Sequence, residues 1–384
     1  MMRRIIVGLA VIFTLIISVS MAQENMQASV VHDPPPPFVP DPNNQYTFPA
    51  GTSVAKGDPW LNLPPIDYAP PPYARYLKGL RICLDPGHGG YQHLKGYKST
   101  ASGYSEAVMD LEVARYLREF LLKSGVTVVM TRDGDWDLKK DYSEALAARP
   151  KLAEIDNCDL FISMHHNATS NSETNFPSAF YHAFPGYSYS NIDLGRAIVN
   201  EIEYWQRLPG FAGTGLYSDY LLYDNFGFAV LRQAKVPAIL IEASFFSNPD
   251  EEVRLKNPDY LKREAWAYYM GIAKYVCDGM PKAELISPPD SILTGKEQKV
   301  QFHIIDGCPE GWGSKGTPRI VKWSINLTIN DLNVPFEYDE TGGILTYRSS
   351  QPLQPGKYDF MVRFVNMRKN SNIPKVFTIT IQQL

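Results

Sequence analysis

The sequence predicts an α/β domain with a mixed open sheet flanked by helices, followed by an all-β sandwich. Three observations lead there. Between Gly79 and Val276 short apolar runs alternate with segments of helical periodicity. After Met280 the hydrophobic period becomes two, with no competing helical pattern. The whole chain is 384 residues at 44% hydrophobic and 20% charged, a globular composition with room for two folded domains. Its formal net charge of -4 leaves no basic excess to neutralise phosphates, which argues against a nucleic-acid partner.

Taken in order, Arg3 and Arg4 precede the apolar run Ile5 to Ile17, and Ser20-Met21-Ala22 supplies small residues around a cleavage point. These are the parts of a secretory signal peptide, so residues 1–22 are expected to be removed. No later apolar run is long enough for a membrane span, and the expectation is an exported protein of the periplasm, cell wall or exterior. Residues 23–78 hold 13 of the 30 prolines, including Pro34 to Pro37 and Pro70 to Pro72. Such a stretch reads as an extended arm or plain spacer, with Trp60, Tyr68 and Tyr73 available to dock on the body.

The α/β domain is expected over 79–280. Leu80 to Leu84 reads as a strand, Leu111 to Leu122 as an amphipathic helix stopped by Gly125, and Val126 to Met130 as the next strand. A helix near Tyr142 to Ile155, the strand Leu160 to Met164, a helix around Ile192 to Trp205, the strand Ala238 to Ile241 and a helix near Leu261 to Val276 complete it. Over 284–384, alternation at Val300 to Ile304, at Trp323, Ile325, Leu327 and Ile329, at Tyr358 to Phe364 and at Val376 to Ile381 predicts the sandwich. It resembles the immunoglobulin-like modules appended to exported enzymes. The four cysteines show no CxxC spacing. Cys83 lies in an apolar strand and reads as a buried thiol.

In an open α/β sheet, functional groups gather beyond the carboxyl ends of strands. After Leu84 comes Asp85-Pro86-Gly87-His88-Gly89-Gly90; after Met164 come His165, His166 and Asn167; Glu242 ends the strand Pro237 to Ile241; Glu106 opens the first helix. Histidines and carboxylates converging on one sheet edge suggest a metal ion, and two His with one Glu is a zinc ligand set. Separations of 18 and 59 residues between His88, Glu106 and His165 do not establish that alone. Ordinary readings stand beside it: a turn residue, a helix-start acid, a strand-end histidine and a salt-bridged carboxylate.

The blocks Asp85 to Gly90, Glu106 with Asp110-Leu111, Thr131-Arg132-Asp133, Phe161 to Ala168, and Pro237 to Glu242 leading into Phe246-Ser247-Asn248-Pro249 resemble the successive motifs of the zinc-dependent N-acetylmuramoyl-L-alanine amidases. The resemblance covers residues 79–276. It implies a Zn2+ ion on His88, Glu106 and His165, with Glu242 as the catalytic acid. It also implies peptidoglycan as substrate, cleaved between the lactyl group of N-acetylmuramic acid and L-alanine; an activator protein is left open. A zinc peptidase acting within the stem peptide and a silent peptidoglycan-binding protein are the alternatives. The family pattern Ser-x-His-x-Asn selects His165 over His166, whose position usually holds a small residue. His166, Asp85 and Asn167 are candidates for a supporting role around the ligands, with simple exposure the leading expectation for His166 and a turn or cap role equally open for the other two. Arg132 and Arg149 are expected in salt bridges rather than on substrate. The segment Thr169 to Asp224 departs from the family pattern, and the resemblance implies least there.

Overall fold

Strands β1 (Arg81–Pro86), β3 (Leu160–Asn167) and β6 (Ala238–Phe245) are buried almost end to end, as parallel strands covered on both faces must be. They belong to a computed structural model that describes residues 66–89, 103–183, 189–208, 215–223, 226–294, 299–309, 317–349, 351 and 353–382. The signal segment, the arm as far as residue 65 and Gly90 lie outside the described residues. With β2 (Thr127–Met130), β4 (Ser178–Tyr181) and β5 (Leu216–Ser218) these strands form one sheet in the order β2-β1-β3-β6-β4-β5. The first four are mutually parallel, whereas β4 runs antiparallel to β6, so the sheet is mixed. Neither β4 nor β5 is legible in the sequence: both are very short and lie in the irregular segment after Asn167.

Helices α1 (Glu106–Lys123), α2 (Tyr142–Ile155), α3 (Tyr189–Gln206), α4 (Ala229–Arg232), α5 (Pro249–Leu255) and α6 (Pro258–Cys277) complete the α/β part. Val113, Leu117, Phe120 and Leu121 form the buried stripe of α1, which ends where Gly125 takes φ of 78°. The helix begins five residues before the expected Leu111. Its first turns bury Glu106 and Asp110 beside Met109, and buried acids on the inner face disguise the amphipathic period. For α2 the expected bounds hold, with the Asp141 carboxylate accepting the Glu144 amide at 2.9 Å as its cap. From the arm, Tyr68 stacks on Phe120 at 5.4 Å and meets Trp266 edge-on, so this tyrosine is seated on the body. Cys83 and Cys158 are buried thiols.

By contact density the chain divides into two compact units, one formed by the chain to Ala183 with Leu194–Ile272, the other by Phe184–Asp193 with Ala273–Leu384. The second is a two-sheet β module. One sheet has the order β11 (Leu332–Asn333), β10 (Asn326–Ile329), β14 (Gly356–Arg363), β15 (Val376–Gln382), β8 (Ile292–Thr294). The other runs β12 (Glu337–Asp339), β13 (Ile344–Arg348), β9 (Lys299–Ile305), β7 (Lys282–Ser287). Phe302, Leu345, Phe360 and Ile379, drawn from both sheets, are fully buried in their shared core. Trp323 corrects the sequence expectation: it sits in a 3-10 turn, Lys322–Ser324, and is 89% exposed, while Ile325, Leu327 and Ile329 do face the core. Among the described residues no helix is long and apolar enough to cross a membrane.

Candidate metal centre

Register assembles the site. Leu84 pairs with Ile162, Met164 with Ile241, and His165 with Glu242, so β1, β3 and β6 end together at one edge of the sheet. A bulge between His165 and Asn167 alters the aim of the side chains there. The chain leaves β1 through Gly87, whose amide donates to the Met164 carbonyl at 2.8 Å, and His88 then adopts φ of 58°. A histidine held in the left-handed region needs outside support. It comes from two buried arginines: Arg149 donates to the carbonyls of His88 (2.7 Å) and Pro86 (3.3 Å), and Arg132 to those of Pro86 (3.1 Å), Gly87 and Ala107 (2.7 Å).

On this frame three side chains converge. Oε1 of Glu106 lies 2.9 Å from Nε2 of His88 and 3.2 Å from Nδ1 of His165, and the two imidazole rings meet edge to face at 4.9 Å. Asp110, one helical turn beyond Glu106, joins them: one ligand-capable atom from each of His88, Glu106, Asp110 and His165 lies within 4.8 Å of every other. Donors on one ion with bonds of about 2.0–2.2 Å cannot be much further apart than this, and imidazole plus carboxylate is a zinc-type set. Two buried carboxylate oxygens, Asp110 Oδ2 and Glu242 Oε2, have no hydrogen-bond partner in the protein among the described residues. The residues therefore fit a bound cation.

The electrostatics agree with that chemistry. Burial pushes the Glu106 carboxyl up, but His88 and His165 outweigh it and hold the group well below the usual carboxylate range. Burial lowers His88, while Glu106 more than compensates and raises it. Glu242 is raised well above its ordinary value by burial first and then by the nearby carboxylates Glu106 and Asp110.

The remaining candidates take distinct places. Asp85 is fully buried and its oxygens accept from Thr131 Oγ1 (2.7 Å), Ser163 Oγ (2.7 Å) and Arg149 (3.2 Å). It acts on the site through Arg149, which also bridges to Asp137 at 3.1 Å. Asn167 accepts the Ala168 amide with its own side chain at 2.8 Å, a turn role. Arg149 is in salt bridges as expected, whereas Arg132 holds main-chain carbonyls. His166 departs from expectation: it is 2% exposed, with Nδ1 2.8 Å from Asp110 and Nε2 3.1 Å from Glu264. Carboxylates from two helices give it a reason to be inside.

Two residues escaped the sequence reading of the site. Asp110 had a signal, since a spacing of four puts it on the same helix face as Glu106. Glu264 had none, because α6 meets β3 only in the folded chain.

Residues 82–274 match the family described as N-acetylmuramoyl-L-alanine amidase. The chain is 31% identical over 212 residues to a germination-specific N-acetylmuramoyl-L-alanine amidase of Bacillus subtilis, covering 53% of this chain and 83% of the relative. To N-acetylmuramoyl-L-alanine amidase AmiC of Escherichia coli it is 27% identical over 262 residues, 58% of this chain and 60% of that one. Among solved structures it is similar to N-acetylmuramoyl-L-alanine amidase AmiC2 of Nostoc punctiforme, with 27% identity, 52% of this chain and 98% of that chain covered, and a TM-score of 0.43.

Proposed function

The chain belongs to the N-acetylmuramoyl-L-alanine amidase family, and from that premise we propose that it works as a zinc enzyme in which His88, Glu106 and His165 hold the ion and Glu242 moves the proton. It is a hydrolase of the peptidoglycan amide bond between N-acetylmuramic acid and L-alanine. The convergence of two imidazoles and a carboxylate at the sheet edge, with Glu242 in register beside His165, is the observation that supports the zinc reading.

Zinc held there supplies a Lewis acid that makes water a nucleophile near neutral pH and polarises a carbonyl. The chain's own part is orientation and proton transfer. Arg132 and Arg149 lock the loop that carries His88, and the buried helix start fixes Glu106. Glu242 is partly buried, and its Oε2 is without a protein partner among the described residues. That oxygen can take the proton of the attacking water and return it to the departing nitrogen, which is otherwise a very poor leaving group. A carboxyl raised by its surroundings suits both halves of that task.

We further propose that 1–22 is an export signal, 23–78 an arm, 79–280 the catalytic domain and 284–384 an accessory β module, the protein acting on peptidoglycan in the periplasm or cell wall. Digestion of purified peptidoglycan tests the reading. New L-alanine amino termini without new reducing ends, lost with a zinc chelator and in Glu242→Ala, are expected. Peptide fragments with the muramoyl bond intact would instead identify a stem-peptide peptidase. Tight zinc binding with no cleavage would leave a silent binding protein, or one awaiting an activator.

A further inference from the structure

Behind the three proposed ligands runs a row of buried polar side chains that amide hydrolysis by itself does not require. Asp110 on α1 is fully buried, and its Oδ1 faces Nδ1 of His166 on β3 at 2.8 Å. Nε2 of that ring faces Oε2 of Glu264 on α6 at 3.1 Å, and Glu264 also accepts from Nε2 of Gln206 on α3 at 3.4 Å. Exposure is 2% for His166, 1% for Glu264 and 3% for Gln206. Four elements thus commit a side chain to one line that ends at Asp110.

The end of the line is what points to a ligand. With Oδ1 engaged by His166, Oδ2 of Asp110 is buried and has no hydrogen-bond partner in the protein among the described residues. A Cβ placed on Gly87 would come within 2.6 Å of that oxygen while also meeting the His165 ring, so Oδ2 lies against the loop that presents His88. Burying an unpartnered carboxylate oxygen beside Glu106 is costly unless a cation is present to meet it. The site supplies the room, since the donor atom of Asp110 lies within 4.8 Å of those of His88, Glu106 and His165.

We propose that Asp110 is a fourth protein group of the metal centre, presenting Oδ2 to the ion, and that His166, braced by Glu264, is the positioning residue that turns it there. This rests on the reading that His88, Glu106 and His165 hold the ion. It also explains why a large imidazole occupies a position where the family usually has a small residue: without His166, nothing holds Oδ1, and the carboxylate can rotate away from the cluster.

The test is metal affinity and ligand-field spectroscopy on the full mature chain, with Zn2+ measured by competition against a chromophoric chelator and Co2+ by its visible bands. Asp110→Asn, which preserves shape, is expected to weaken Zn2+ at least about tenfold and to shift the Co2+ bands. His166→Ala should weaken Zn2+ by about 10–100-fold, the range for losing a group that orients a metal ligand. His166→Gln, which can still donate toward Asp110, should recover part of that loss. Wild-type affinity and an unchanged Co2+ spectrum in both Asp110→Asn and His166→Ala, each with native circular dichroism, would overturn the proposal and leave the row as packing. Should Asp110→Asn not fold, the His166→Ala and His166→Gln pair decides alone. A wild-type chain that binds neither ion would sink the zinc reading itself, a different result from equal binding by wild type and variants.

Discussion

His165 and Glu242 are register partners on the adjacent parallel strands β3 and β6, so a proposed metal ligand and the proposed proton carrier are set side by side by backbone hydrogen bonding. No loop motion is needed to bring them together. Burial, and then the neighbouring carboxylates Glu106 and Asp110, raise the Glu242 carboxyl in that position.

Glu242 should weaken the metal-free protein as pH rises. Its carboxyl is raised in the fold above its ordinary value of 4.5, chiefly by burial, so the folded state binds its proton more tightly than the unfolded chain does. The associated stability is fully present below about pH 4.5 and is lost as pH climbs through the folded value. Glu242→Gln removes that loss. Metal-free Glu242→Gln is therefore expected to melt a few degrees above wild type at pH 8, at roughly 2–4 °C per kcal/mol, with the gap closing toward pH 4.5. A gap of the same size at both pH values would show that ionisation is not its cause.

Gly87→Ala should fold and fail to hold metal. A Cβ there meets the His165 ring and lies 2.6 Å from Asp110 Oδ2, while Gly87 itself is not in the left-handed region and accepts alanine's backbone preferences. The expected result is a native circular dichroism spectrum with Zn2+ affinity down by at least about tenfold. Stoichiometric zinc in the purified variant would refute this account of the glycine.

Arg149→Met should be among the most destabilising single changes in the α/β part. It strips the buried carboxylates Asp85 and Asp137 of their cation and frees the His88 carbonyl. Breaking a buried pair from one side costs about 3–5 kcal/mol. Guanidinium denaturation should show the midpoint falling accordingly, and a loss under about 1 kcal/mol would mean that water replaces the arginine freely.

Asp219→Ala should loosen the segment beyond β5. Fully buried Asp219 accepts from His182 Nδ1 at 2.9 Å, from the Phe228 amide at 2.9 Å and from the Ala183 amide at 3.3 Å, tying β4 to the turn that precedes α4. Removing these acceptors costs about 1–3 kcal/mol or more. Hydrogen exchange at the Ala183 and Phe228 amides should accelerate well before global unfolding; unchanged protection would place the anchor elsewhere.

How far the sequence reached can be judged from single residues. The apolar strands Ile82 to Leu84, Leu160 to Met164 and Ala238 to Ile241 were legible because both their faces are buried, which needs a continuous apolar run. Their last residues were not read as strand, since His165, His166, Asn167 and Glu242 carry chemistry where the pattern expects core. The same conflict hid the first turn of α1 behind Glu106 and Asp110. His166 shows the limit most clearly. In sequence it is a polar residue at a strand end; in the fold, Asp110 from 56 positions earlier and Glu264 from 98 positions later make its burial favourable.

From the order of its residues alone, this chain declares an α/β body followed by a β module, and the motifs around His88, Glu106, His165 and Glu242, because local periodicity and short motifs are properties of neighbours in the chain. Tertiary structure alone decided the antiparallel turn of β4, the clamp of Arg132 and Arg149 on the His88 loop, and the line from Gln206 through Glu264 and His166 to Asp110. Those depend on which strands pair and which helices cover them. A buried polar side chain acquires its meaning from partners that chain distance conceals.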